Sequence, residues 1–295
     1  MRTYLQDFFA DFEYPERDAR ELLQAYDRVM DCPEAKAEWE TLLSLYDADF
    51  HCDIAALRER AKAISKQIPV HAYTLHLLFF VCLSRRTLEY YRERGLSEQL
   101  WRDAMLDLRY KLEECREVWG ICGSFVVTWF DGFFALDRFA LGRLQFELRK
   151  LEYPFEKDGV CLPVGAPVIN VHIPRTGTPL TPAACDEAFA MAARFYQKEL
   201  KDAPVAFICH SWLLYPQNEK LMSKGSNTYA FFKRFDIVRS GDHGDDHPDL
   251  WRLFDRPFTG SFDCLPYDSS LRRAYVDHLK AGGKSGWGFG VYLYK

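Results

Sequence analysis

The sequence predicts an α+β / α/β protein in two parts, a helical N-terminal region followed by a C-terminal mixed sheet. Three observations carry that reading. Apolar residues recur at three- and four-residue spacing through the first half. Near Phe139 the pattern switches to strict alternation in RLQFELRK. Beyond it, short apolar strands bounded by proline and glycine alternate with amphipathic helical segments. The expected division is a helical domain over residues 1–138 and a sheet-containing domain over 139–295, with no Pro/Ser-rich linker at the junction LDRFALGRLQFE.

In the first part, PERDARELLQAYDRVM, CPEAKAEWETLLSLYD and CDIAALRERAKAISKQI each place a proline or an acidic residue at the start of a helical pattern. HAYTLHLLFFVCLSRRTLEYYRERG is apolar on nearly all sides at first, which predicts a central helix ending at Gly95. SEQLWRDAMLDLRYKLEECREVWG follows with Ser97 as N-cap, and FVVTWFDGFFAL adds a short apolar element.

In the second part, RLQFELRK puts Leu144, Phe146 and Leu148 on one side and Gln145, Glu147 and Arg149 on the other. PVINVHIP predicts a second strand, and the turn-rich RTGTPLTP leads to a helix with Thr181 at the N-cap and Pro182 at the first helical position. VAFICHSWLL, a short helix around SNTYAFFKRF, the strand FDIVRSG, the helix SSLRRAYVDHLKAGG and the strand GWGFGVYLY complete the chain, and the alternation predicts a substantial parallel component. Alternate glycines in GWGFG predict a close approach by another backbone or a ligand rather than a dinucleotide fingerprint, because they follow a helix instead of opening one.

Composition bounds the function. With 48% hydrophobic and 27% charged residues the chain buries an ordinary core. Its 38 Lys plus Arg against 43 Asp plus Glu, a net charge of −5, give no reason to expect a nucleic-acid or membrane partner. Nine scattered cysteines without a C-x-x-C pair argue against a disulfide framework and suggest a reducing compartment. The N-terminal MRTYLQDFFADFEYPERD lacks the pattern of a signal peptide, so the expected location is the cytoplasm.

Polar residues inside apolar strands mark the candidate site. A buried strand rarely carries Cys209, His210 and Ser211 in a row. Alternation sets His210 on the face opposite Cys209 and Ser211, and sets Asn170 and His172 together on one face of the neighbouring strand. Alternation turns His210 away from Ser211, which argues against a dyad between them, and if the two strands are neighbours, His172 and His210 face the same cleft. After VAFICHSWLL, Lys224, Gly225, Ser226 and Asn227 precede a helix and form a candidate anion seat, with helix capping as the plainer reading. Asp242, His243, Asp245, Asp246 and His247 could ligate a metal, but no ligand spacing organises them, and a solvated loop is preferred.

GRLQFELR, VINVHIP, TPAACDEAFAMAARFY, CHSWLLYPQ, SNTYAFFKRF and SSLRRAYVDHLKAGG together resemble the bacterial family of two-domain N-acyltransferase-like proteins. The resemblance covers essentially the whole chain. It implies a helical N-terminal domain and a GNAT-like C-terminal domain whose sheet splays to admit acyl-CoA or acetyl-CoA as co-substrate, with no metal. VAFICHSWLL would be the fourth strand. The loop after it, YPQNEKLMSKGSN, lacks the R/Q-x-x-G-x-G/A run that usually holds the pyrophosphate and keeps only Gly225. The implied reaction is CoA-dependent N-acylation of a small-molecule amine. His210 or His172 would be the base, Asn170 or strand amides the oxyanion donors, and Ser211 or Tyr229 the acid for the thiolate. Two alternatives are a non-catalytic ligand-binding or interaction protein on the same scaffold and, more remotely, a metal-dependent hydrolase using the 242–247 loop.

Overall fold

The computed structural model describes residues 1–201 and 203–295. The chain divides into two compact units, Met1–Phe139 and Ala140–Lys295. Among the described residues no helix is long and apolar enough to cross a membrane.

The first unit is built from α1 (Arg2–Asp11), α2 (Glu16–Asp31), α3 (Pro33–Ala48), α4 (Ile54–Ala63), α5 (Ala72–Glu93), α6 (Glu98–Trp119) and α7 (Asp131–Phe134). As its apolar sequence requires, α5 is central: every residue from Thr74 to Ser84 is buried. Side-chain caps set the starts, with Asp53 accepting from the Ala56 N–H, His71 from Tyr73 and Ser97 from Leu100. Gly120, at φ 71°, ends α6 in the left-handed conformation. The Tyr46 hydroxyl is satisfied in the core by Thr87 and by the Phe134 carbonyl, each at 2.9 Å. FVVTWFDGFFAL yields only the four-residue α7. α1, which precedes the segments named above, buries Leu5, Phe8 and Phe9 at three- and four-residue spacing.

The sheet strands are β1 (Arg138–Leu141), β2 (Leu144–Lys150), β5 (Pro167–His172), β6 (Ala206–Ser211), β7 (Asp236–Asp242) and β8 (Gly286–Leu293), in spatial order β1-β2-β5-β6-β8-β7. A separate hairpin is formed by β3 (Phe155–Lys157) and β4 (Val160–Leu162). Helices α8 (Pro182–Phe195), α9 (Gln197–Leu200), α10 (Asn227–Phe232), α11 (Trp251–Phe254) and α12 (Ser270–Lys280) connect them. Thr181 caps α8 through the Ala184 N–H, and Pro182 opens it, as expected.

The parallel content is smaller than the alternation of strands and helices suggests. β5 and β6 are parallel, joined by the α8 crossover, whereas β2–β5, β6–β8 and β7–β8 are antiparallel. The connection from β7 to β8 contains α11 and α12 and still returns antiparallel, because so long a segment leaves strand direction open.

Register assigns the two faces of the sheet. On one, Phe146, Phe207 and Tyr292 pack on Phe189 of α8, with ring centroids 4.7–5.9 Å away. On the other, Val168, Ala206, Ile208, Phe289 and Val291 pack with Leu151 and with Phe155 and Leu162 of the hairpin. The glycines of β8 serve close approach, as predicted. A Cβ on Gly288 would lie 2.0 Å from the Leu214 carbonyl oxygen, so only glycine lets the turn after β6 settle on the strand.

Candidate active site

The parallel pairing of β5 and β6 covers only Ile169–Asn170 against Phe207–Ile208. Past it the strands part, while β6 stays paired to β8 as far as Ser211 opposite Gly288, and β5 to β2 as far as His172 opposite Gln145. The centre of the sheet therefore opens at the carboxyl ends of its parallel strands, where ligands of open α/β sheets bind. This opening explains the polar run in VAFICHSWLL: the strand is buried from Ala206 to Cys209 and then emerges at His210.

Asn170 and Ile208 are direct partners, so His172 and His210, two residues further on, share one face of the sheet. The same face carries Glu147, the register partner of Asn170 on β2. Glu147 is the organising group. Its carboxyl oxygen Oε1 accepts from Asn170 Nδ2 and His172 Nε2, both at 2.9 Å, and from Arg149 Nε at 3.1 Å. The Glu147 side chain is only 3% exposed and that of His172 19%. A buried acceptor with three donors is satisfied as a carboxylate. Nε2 of His172 also lies 3.1 Å from Asn170 Nδ2; in the Nε2–H tautomer it donates to Glu147 and the lone pair is at Nδ1. These contacts orient the ring, and in that tautomer it can accept a proton at Nδ1.

His210 stands apart from this cluster. It is exposed, and its ring contacts are with Trp287, at 4.8 Å and nearly perpendicular, and with Phe289. No hydrogen bond joins it to His172. His172 and His210 thus share a face as expected, with Glu147 hydrogen-bonded to His172 and with His210 and Trp287 forming an aromatic wall beside them.

Ser211 lies on the opposite face, and its Oγ accepts from the Leu213 N–H, capping the turn. Burial pushes the Cys209 thiol up to about 12, which removes it as a nucleophile at neutral pH. Tyr229 is half-buried in α10, which packs on α8 through Phe231 and Phe189. Lys224 and Gly225 are exposed before that six-residue helix, and Ser226 caps it by accepting from the Tyr229 N–H. The plainer capping reading thus holds for Ser226, while Asn227 begins the helix.

The residues 242–247 are engaged separately. Asp245 pairs with Lys284, Asp242 accepts from the Gly244 N–H, and His247 Nδ1 lies 2.8 Å from Ser285 Oγ. Among the described residues the three ligand-type side chains that do converge are Asp18, Glu21 and Cys122, and there the Arg116 guanidinium already occupies both carboxylates.

Glu147 is the site residue that sequence reasoning missed. On sequence alone it sits with Gln145 and Arg149 opposite Leu144, Phe146 and Leu148, with no role of its own. The signal lay in its parity: its side of RLQFELRK is the side on which Asn170 and His172 also fall once the two strands pair.

Residues 139–292 match the model of the GNAT-like C-terminal domain, and residues 3–136 match that of the N-acyltransferase N-terminal domain. Solved structures of similar fold include an acyltransferase in complex with decanoyl-CoA and teicoplanin, 24% identical with a TM-score of 0.77. Another is an acyltransferase in complex with decanoyl-CoA, 22% identical with a TM-score of 0.75. In each case the alignment covers 98% of this chain and 87% of the other. No curated protein sequence matches this chain.

Proposed function

The chain belongs to the family of the GNAT-like C-terminal domain, and we propose that it is a CoA-dependent N-acyltransferase in which His172, positioned by Glu147, is the general base. The observation that supports this most directly is the 2.9 Å contact between Glu147 Oε1 and His172 Nε2 at the opening of β5 from β6. The similar acyltransferases in complex with decanoyl-CoA make an acyl-CoA the natural co-substrate.

In this reading the amine nitrogen attacks the thioester carbonyl carbon while its proton passes to His172 Nδ1, and collapse of the tetrahedral intermediate breaks the C–S bond. Glu147 stabilises the imidazolium so formed. Asn170 donates to Glu147 and so positions the pair instead of acting as an oxyanion donor. That task falls to backbone N–H groups of the parted strands. Tyr229 and Ser211 both belong to the α8 side of the sheet; Tyr229, whose hydroxyl makes no hydrogen bond among the described residues, is the better acid for the departing thiolate, because Ser211 Oγ already accepts the Leu213 N–H.

Two segments near the carboxyl ends of β5 and β6 offer donors for the pyrophosphate. The loop before α8 follows β5 directly, contains Gly177 at φ 72°, and opens a 14-residue helix. Lys224–Asn227 open a helix of only six residues. The longer helix and its place at the end of the parallel strand favour the first.

The test is titration of decanoyl-CoA into the protein, followed by thiol release with a panel of amines. Saturable binding with His172-dependent release is expected. Binding without release by any amine would favour the non-catalytic ligand-binding reading, and no binding would overturn both. Gly177→Pro and Gly225→Pro distinguish the two seats by which one raises the Kd.

A further inference from the structure

We propose that the helical unit carries a separate binding site for a compact polyanion, a small molecule with clustered phosphate or carboxylate oxygens, in the cavity between α2 and the start of α5. The cavity measures about 560 Å³, within the range of small-molecule sites. One wall is a stripe of α2 in which Arg17, Glu21, Gln24 and Arg28 recur at helical spacing, with Arg20 beside them. The other wall is formed by residues 69–71 and 120–121 with Thr74.

The charge on these walls is not compensated from within. Arg17 makes no ion pair or hydrogen bond among the described residues. Arg28 donates only to the Pro69 carbonyl, at 3.0 Å, which leaves the rest of its guanidinium fork for a ligand. Arg20 is paired with Glu16, but both side chains are mostly exposed, so that pair is weak and exchangeable. The single acid on the wall, Glu21, is taken by Arg116, which also binds Asp18 and the Gly120 carbonyl. Arg116 therefore engages Glu21 and offsets part of the acidic charge beside the cavity.

The cavity also receives the positive end of the 22-residue α5. His71 accepts the Tyr73 N–H at Nδ1, so in the neutral ring Nε2 carries the hydrogen and is a donor. Two unpaired guanidinium groups, an imidazole donor and a helix N-terminus around one concave space make up a polyanion site in a chain whose net charge is −5. With so few cations and an acidic protein around them, the site fits a small ligand better than a nucleic acid.

The inference does not depend on the acyl-transfer reading, whose residues belong to the other unit. Inorganic pyrophosphate and citrate are titrated separately into the full-length protein at low ionic strength, followed by calorimetry. Saturable binding of one or both is expected, the stronger identifying phosphate or carboxylate chemistry. Arg17→Gln, which removes no internal bond, should weaken it about tenfold or more, and Arg17→Lys should restore part of it. Absence of saturable binding by either anion overturns the proposal. So does binding that Arg17→Gln leaves unchanged, because the anion then sits elsewhere, for example at the loop before α8. Loss of decanoyl-CoA binding in Gly177→Pro with retained, Arg17-dependent anion binding would separate the two sites.

Discussion

Glu147 and His172, on neighbouring antiparallel strands, are joined by a 2.9 Å hydrogen bond whose carboxylate side is buried and whose imidazole side faces the parting of β5 from β6. This relationship predicts unequal effects of two conservative changes. His172→Gln removes the proton acceptor and should lower kcat by about 10²–10⁴-fold. Glu147→Gln keeps the shape but weakens the hold on the ring and should cost less, with a pH–rate profile displaced from the wild type because the imidazolium has lost its counter-charge. Equal losses with an unshifted profile would make Glu147 a merely structural residue.

His210 is exposed and packed edge-on against Trp287, so His210→Gln should fold with stability within about 0.5 kcal/mol of the parent. Chemical denaturation checks this. If His210 acts on substrate through the aromatic wall it shares with Trp287, the variant changes KM more than kcat. A fall in kcat as large as that of His172→Gln would restore it as the base.

The helical half was readable because 3.6-residue periodicity, proline starts and serine or aspartate caps all depend on neighbours along the chain. α2 to α6 appear where those signals put them. The strands were readable too, but their partners were not. That β5 lies parallel to β6 for two residue pairs and then leaves it follows from long-range pairing, which no local pattern encodes. His172 and Asn170 could be named from one strand's alternation, whereas the role of Glu147 required the register between two strands. His210 drew attention by interrupting an apolar run. The interruption marks where β6 runs out of cover at its carboxyl end, a property of the strand's place in the sheet rather than of the residue.

Two glycines should respond oppositely to the same small change. A methyl at Gly288 would meet the Leu214 carbonyl oxygen at 2.0 Å, so Gly288→Ala must displace the turn after β6 and should cost about 1–3 kcal/mol or more. Gly225 has no atom within 4 Å of a built Cβ and no left-handed backbone, so Gly225→Ala should be neutral or stabilise by about 0.4–1 kcal/mol through the unfolded chain. Urea midpoints of the two variants check the pair. A destabilised Gly225→Ala would show that its backbone is held by something besides the chain.

Acid stability should turn on two groups in the helical unit with opposite signs. Burial lowers His76 to about 4 from its ordinary 6.5. Its contribution is therefore present above pH 6.5 and is lost as the pH falls through 4, by about 3 kcal/mol in all. Burial raises Asp131 to about 6 from 3.8, against the opposing pull of Arg58. Its contribution is fully present below pH 3.8 and is lost as the pH rises through 6. Between pH 6.5 and 4 the two slopes oppose each other, so the parent should lose little stability on acidification from this pair. Asp131→Asn removes the compensating titration and leaves that of His76. Because the ionised Asp131 is disfavoured in the fold even with Arg58 beside it, the variant should be no less stable than the parent at pH 7, and its stability should then fall more steeply with decreasing pH, by up to about 1.4 kcal/mol per pH unit. Denaturant midpoints measured from pH 7 to pH 4 decide it. Parallel pH dependences for parent and variant would show that Asp131 is already ionised throughout this window.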